Sequence, residues 1–504
     1  MHALIEKYKK DILIALGLVF LYFGTHLPSL TRIPIFTDEA IYLRWSQIMA
    51  YDASLRYIPL VDGKPPLFMW ATAILLRVFS NQDPLLLTRL VSVGAGFLSL
   101  IAIYFASYHL FHNKRLSLIA SFFYVVIPFT FFYDRFGLAD SLLTMFGIWS
   151  LGLGVILARY IRLDAALLLG WVIGLGLLTK TPAVFYLLFL PLYLVFFPWR
   201  EKGRSGRLIN WGFYFLLVVI SSQLLFSILR LFPLFHMISQ KNAEFVVPIS
   251  EFLKHPFIFF PSNFLTLLRW QIDYLTYPLV VLVVVGIIVG LIKKSREILV
   301  LVMCYSMFFV AMAAFNKGIF ARYLLIVTPG LIIIAAFGFS EILERLKVRA
   351  LIQSLVLLII LVPALYTDFK LLSDPINAPI PDSDSRQYIN GTFAGNGVIE
   401  VRKFLVNESK KYKKITVGTE GTFGLMPYSL QLYQKDYPNV DIKDFWPMPE
   451  KVPEVILEAA KDHPTYFIVY QRARPPLGWK VTLVSHYQQG KSQDYLQLYK
   501  VLPP

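Results

Sequence analysis

A chain of 504 residues that is 57% hydrophobic and only 16% charged is no water-soluble globule, since such proteins spend about a quarter of their residues on charge. Its formal charge of +16 does not point to nucleic acid, because the basic residues sit in short clusters between apolar runs. The single cysteine, Cys304, lies inside one such run and forms no internal disulfide.

In chain order, the apolar runs have the length that about 30 Å of hydrocarbon demands of a helix. The first, Ile12 to Leu30, follows Lys7, Lys9 and Lys10 and is too long for a signal-peptide core, so it reads as a retained span. The next five are Leu85 to Phe111, Leu116 to Phe132, Ser141 to Tyr160, Ala165 to Leu178 and Ala183 to Phe197. Trp211 to Leu231, Tyr274 to Ile292, Ile298 to Phe315, Ala321 to Ser340 and Leu351 to Tyr366 complete about eleven. Alternate short loops are basic: Lys114 and Arg115; Arg159 and Arg162; Arg200, Lys202, Arg204 and Arg207; Lys293, Lys294 and Arg296; Arg345, Lys347 and Arg349. With these loops and the N-terminus inside, one orientation satisfies the positive-inside rule, and an odd span count puts the C-terminus outside a cell (plasma) membrane. Membrane lipid is the expected solvent. No internal repeat is evident, unlike transporters built from two related halves.

The first outer loop, about Thr31 to Pro84, is far longer than a connector needs and reads as two short interfacial helices. Thr37 is placed to N-cap the first, whose Ile41, Trp45, Ile48 and Met49 share a face that excludes Arg44 and Gln47. The second follows Lys64-Pro65-Pro66 and runs through Phe68, Trp70 and Ile74. Residues 1–366 thus form a polytopic α-helical membrane domain. From 367 to 504 the composition turns polar, with Pro375, Pro379 and Pro381 marking a linker. There Val398 to Tyr412 reads as a helix, and Lys414 to Gly418, Tyr466 to Tyr470 and Trp479 to Val484 as strands. A small extracytoplasmic α/β domain follows, with no catalytic signature of its own.

Ionisable residues cluster at the span ends on the expected outer side. Asp38 and Glu39 precede the first interfacial helix, and Asp140 opens the fourth span. Singly, each has a plain explanation as a helix-dipole or capping acid. Lys64, Lys180 and Arg322 add cations on that side, each explicable alone as a snorkelling anchor or a helix C-terminal cation. Their convergence on one face suits transfer to a hydroxyl, in which an acid takes the proton and cations hold a phosphate leaving group.

The residues Phe36-Thr37-Asp38-Glu39, Asp62-Gly63-Lys64-Pro65-Pro66-Leu67, Arg135 through Asp140, Leu178-Thr179-Lys180-Thr181-Pro182 and Arg322-Tyr323-Leu324-Leu325 together resemble the GT-C class of membrane glycosyltransferases. The resemblance is to the family of protein O-mannosyltransferases and aminoarabinose transferases of lipid A. It implies transfer of a sugar from a polyprenyl-phosphate donor to a lipid, glycan or protein hydroxyl on the outer face, with inversion. It implies Asp38 as base, Glu39 in support of it, Asp140 on the acceptor and Lys64 on the donor phosphate. Arg135, Lys180 and Arg322 would meet the same anion or hold the loops. Many relatives have a glutamate before the Lys-Pro-Pro turn, where this chain has Gly63. A divalent metal stays open, since some relatives use one and others do not. His236 and His255, in the loop that also carries Lys241, Glu244, Glu251 and Lys254, lack metal-ligand spacing, and that loop has the length to fold over the donor. Two rivals remain at this point: a flippase or transporter of lipid-linked sugars, which favours mid-span charges and broken helices, and a non-catalytic scaffold.

Overall fold

The computed structural model describes residues 2–346 and 349–504, the side chains of residues 2–8, 346 and 350 excepted. Lys347 of the last basic loop, and the side chain of Lys7, lie outside the described residues. The chain forms two compact units. One comprises Met1–Pro28, Tyr57–Phe68 and Arg89–Phe369; the other comprises Ser29–Arg56, Met69–Thr88 and Lys370–Pro504.

The helices begin with α1 His2–His26, α2 Thr37–Tyr51, α3 Leu67–Val78, α4 Pro84–Phe111, α5 Lys114–Val126, α6 Pro128–Tyr133, α7 Ala139–Tyr160 and α8 Leu163–Thr179. They continue as α9 Val184–Phe189, α10 Arg204–Phe226, α11 Met237–Phe245, α12 Ile249–Lys254, α13 Phe260–Leu275, α14 Tyr277–Ile292, α15 Arg296–Phe315, α16 Thr328–Leu346 and α17 Ala350–Ser373.

The first unit is apolar on its outer faces as well as in its core. On α10, Ile209, Phe213, Leu216, Ile220 and Leu224 are all exposed at helical spacing, and Leu351, Leu355, Leu358 and Val362 form a similar stripe on α17. Such apolar faces are stable only in lipid, and this is an integral membrane protein. Among the described residues five helices are long and apolar enough to cross a bilayer, or six if the pair α13–α14, bent by 108° at Thr276, counts as one span. All eleven apolar runs are helical, but several are interrupted. Ile127 separates α5 from α6 just before Pro128, and Thr181–Phe196 alternates 3₁₀ and α turns around Pro182 and Pro191. Residues 260–273, assigned to a loop from sequence, belong to α13. Small residues let helices approach closely: a Cβ on Gly170 of α8 would lie 3.1 Å from the Cβ of Ser221 on α10, and one on Gly174 2.6 Å from Leu225.

The second unit contains a five-stranded sheet, β1 Ile415–Glu420, β2 Val440–Phe445, β3 Thr465–Val469, β4 Val481–Gln488 and β5 Tyr495–Val501, in the order β2-β1-β3-β5-β4. β1 pairs in parallel with β2 and β3, while β5 runs antiparallel to β3 and β4. One-turn α18 Asp382–Asp384 precedes the sheet, together with α19 Val398–Ser409; α20 Leu425–Gln431 and α21 Glu454–Asp462 follow β1 and β2. Ile456, Phe467, Val469, Trp479 and Val501 form one apolar core beneath it. α2 belongs to this unit and packs against α20, with Trp45 5.9 Å from the ring of Phe423 and Leu43 fully buried. Its apolar face is therefore covered by protein, where the sequence reading had it lying along an interface.

A candidate active site of acids and lysines

Residues 35–39 are pinned by the C-terminal segment of the same unit. Phe36 bridges Ala394, the Gly395 amide donates to the Ile35 carbonyl at 2.8 Å, and both the amide and the hydroxyl of Thr37 donate to the Phe393 carbonyl. Thr37 is thus the first helical residue of α2 and not its N-cap, which is Phe36. The capping work falls to Glu39, fully buried, whose carboxylate accepts the Phe36 amide at 3.0 Å. Asp38, between them, is half-buried in the same first turn.

In the first unit, Asp140 sits in the first turn of α7, 5% exposed. Lys180, the C-cap of α8, reaches it with Nζ 2.7 Å from Oδ1 and also lies 4.9 Å over the ring of Tyr323. Tyr323 follows Arg322, itself buried and 5.1 Å from the ring of Phe320. Three of the motif segments therefore meet: 135–140, 178–182 and 322–325.

The Lys-Pro-Pro turn forms a second charged group. Asp62 is 3.4 Å from Lys64 and 3.0 Å from Lys241, and Lys241 is 2.9 Å from Glu244. Partial burial works against the charge of Lys241, yet its bonds to Glu244 and Asp62 outweigh that and raise its pKa above the usual lysine value. Gly63 adopts φ +61°, and a Cβ there would fall 2.7 Å from the Cβ of Lys241 and against the Met237 carbonyl. α11 occupies the space that the relatives' glutamate would need.

α11 is also what ties these groups together. Lys241 holds Asp62, Asn242 Oδ1 accepts the Thr181 hydroxyl at 3.1 Å beside Lys180, and the Phe245 carbonyl accepts the Lys317 amide at 2.8 Å ahead of the Arg322 turn. The loop between the seventh and eighth runs thus contacts the Lys64 turn through α11.

Arg135 braces the end of a helix. Its guanidinium donates to the carbonyls of Thr25, His26 and Pro28 at 3.0, 2.8 and 2.8 Å, closing the C-terminus of α1. Sequence reading missed Arg89, fully buried and 5.2 Å from the ring of Phe136, although a lone arginine inside an apolar run is itself a signal. It also passed over Asp134, fully buried with Oδ2 accepting the Tyr124 hydroxyl at 2.9 Å. Among the described residues no group of three or more His, Cys, Asp or Glu could hold a metal ion.

Residues 63–226 match the family model described as dolichyl-phosphate-mannose-protein mannosyltransferase. Over that part of its membrane unit the chain is similar to a family of membrane glycosyltransferases. The chain shares its fold with ArnT from Cupriavidus metallidurans in the apo state, at TM-score 0.54 and 14% identity over 98% of both chains. The same protein bound to undecaprenyl phosphate matches at TM-score 0.53, again with 14% identity and 98% coverage of both. No curated protein matches the chain.

Proposed function

We propose that this chain transfers a sugar from a polyprenyl-phosphate carrier to an acceptor hydroxyl at the non-cytoplasmic face of the cell membrane, with inversion. The acceptor oxygen attacks the anomeric carbon, the bond from that carbon to the phosphate oxygen breaks, and polyprenyl phosphate leaves with the electron pair. The hydroxyl proton passes to the Asp38 carboxylate. Glu39, by holding the Phe36 amide, fixes the turn that carries Asp38.

The observation that carries the reading is the convergence of basic turns on α11. Lys64 and Lys241 share Asp62, and α11 is bonded in turn to Thr181, next to Lys180. Cations so placed suit a phosphate that gains charge as it leaves. The family match and the likeness to an ArnT that binds undecaprenyl phosphate support a lipid-phosphate donor. Asp140, paired to Lys180, is assigned to orienting the acceptor, and Arg322 to the same anionic region. An extracytoplasmic position of residues 367–504 follows from the basic loops.

The test is sugar release from a panel of radiolabelled polyprenyl-phosphate sugars by the full-length protein and its Asp38→Asn variant in matched detergent. Turnover should fall by about a hundredfold or more in the variant while its melting temperature holds. Equal turnover would remove Asp38 from the role of base.

A further inference from the structure

A second site lies in the unit that contains the sheet. A groove of about 360 Å³ runs between α2 and the residues that follow α20, lined by Arg44, Gln47, Tyr51, Asp52, Gln434 and Lys435 among others. That volume lies within the roughly 300–1,000 Å³ of small-ligand pockets. Arg44, Gln47, Ile48 and Tyr51 fall on one face of α2, the helix that opens with Asp38.

The charges of this groove are not balanced. Among the described residues Arg44 and Lys435 enter no ion pair, and each is held by neutral partners. Arg44 Nη1 donates to Gln47 Oε1 at 2.7 Å, and the Gln47 amide donates to the Leu432 carbonyl at 3.1 Å. Lys435 donates to the Tyr51 hydroxyl at 3.1 Å and lies 4.9 Å over its ring. Asp52, the one carboxylate among the lining residues, is occupied by the amide and hydroxyl of Ser54 at 2.9 and 2.6 Å. The Nε–H of Arg44 is buried and has no acceptor among the described residues. A buried donor in that state is uncommon. The groove thus offers a half-buried guanidinium and an exposed ammonium to an anion that the protein does not itself supply.

We propose that this groove binds the anionic head, a phosphate or carboxylate, of the sugar acceptor, with Arg44 and Lys435 as its two cationic contacts. The word acceptor rests on the transferase reading above; the preference for an anion does not. At 1.5 Å per residue, Arg44 lies about 9 Å and Tyr51 about 20 Å along α2 from Asp38. An acceptor seated by its charged head would present a hydroxyl at a distance from that head, so the groove selects acceptors that carry both.

Equilibrium binding to the full-length protein in detergent tests this without requiring turnover. The probes are a hexose 6-phosphate, the same hexose without phosphate, and the octyl glycoside of the phosphorylated hexose. The phosphorylated sugar should bind at least about tenfold more tightly than the neutral one, and Arg44→Gln and Lys435→Gln should each weaken it by about tenfold or more. The octyl arm separates a lipid-borne acceptor from a free one by which of the two phosphorylated probes binds better. Gln47→Glu, which places a carboxylate beside Arg44, should weaken binding as well, and melting temperatures of all three variants check folding. Undiminished binding in the variants, equal binding of the neutral sugar, or no binding of either phosphorylated probe would overturn the proposal. Failure of the transferase reading would instead appear as donor turnover that Asp38→Asn leaves intact.

Discussion

Two helices of this protein open with an acid in the first turn, and they use it differently. In α7, Asp140 stands alone, is almost fully buried, and is neutralised by Lys180 at 2.7 Å. In α2 two acids stand side by side: Glu39 is buried and accepts the Phe36 amide, while Asp38 is half-buried. A single acid in such a turn must serve the fold first. In the pair, the adjacent glutamate secures the helix start, and the role of base is the one proposed for the aspartate. The comparison fails if Asp140 proves dispensable to stability, or Glu39 proves unrelated to the helix start.

The largest effect is expected at Lys180. Removing it in Lys180→Ala leaves Asp140 charged and buried, a loss of about 3 kcal/mol or more in stability, visible as a lower melting temperature in detergent. The double variant Asp140→Asn with Lys180→Met has no stranded charge and should recover much of that loss. If the double variant melts as low as the single one, the contribution of Lys180 is packing against Tyr323 and not charge.

Gly63 comes next. Gly63→Ala forces a side chain into left-handed backbone and against the Lys241 Cβ at 2.7 Å, for a loss of about 1–3 kcal/mol. Gly63→Glu, which restores the residue many relatives carry, should be worse still and should free α11, read as faster proteolysis within residues 237–245. A Gly63→Glu protein as stable as wild type would mean that α11 moves aside at no cost.

At Glu39 the expected loss is smaller and depends on the substitute. Glu39→Ala deletes the acceptor of the Phe36 amide and should cost about 0.5–2 kcal/mol, whereas Glu39→Gln keeps an acceptor oxygen and should cost less. If the two variants melt together, charge and not hydrogen bonding accounts for the effect of Glu39.

These sites were unequally legible in the sequence. Apolar runs located the membrane helices because lipid imposes one length on them all, and the motif strings brought Asp38, Asp140, Lys64 and Lys180 forward as candidates. Hydropathy cannot show where a run breaks, so the bend at Thr276 and the 3₁₀ turns of 181–196 emerged only in three dimensions. β1, β3 and β4 were legible from alternation. β2 was not, because an edge strand with sequence Val-Asp-Ile-Lys-Asp-Phe buries little and takes its place from non-local pairing with β1. Long-range contacts were invisible for the same reason: nothing local in residues 425–431 says that α20 will cover α2, and nothing local in Lys241 says that it will share Asp62 with Lys64.

The smallest expected effect on stability is at Lys241, and it separates the fold from the site. Its partners Asp62 and Glu244 are partly solvent-exposed, so Lys241→Ala should change stability by no more than about 1 kcal/mol. Its proposed work is on the donor phosphate, and there the same substitution should weaken retention of a polyprenyl phosphate by about tenfold, the scale of one lost charge-assisted hydrogen bond. The two readouts must part company for the α11 assignment to stand. A variant that melts early and binds lipid phosphate normally would make Lys241 a brace for the Lys-Pro-Pro turn and leave Lys64 alone to meet the phosphate.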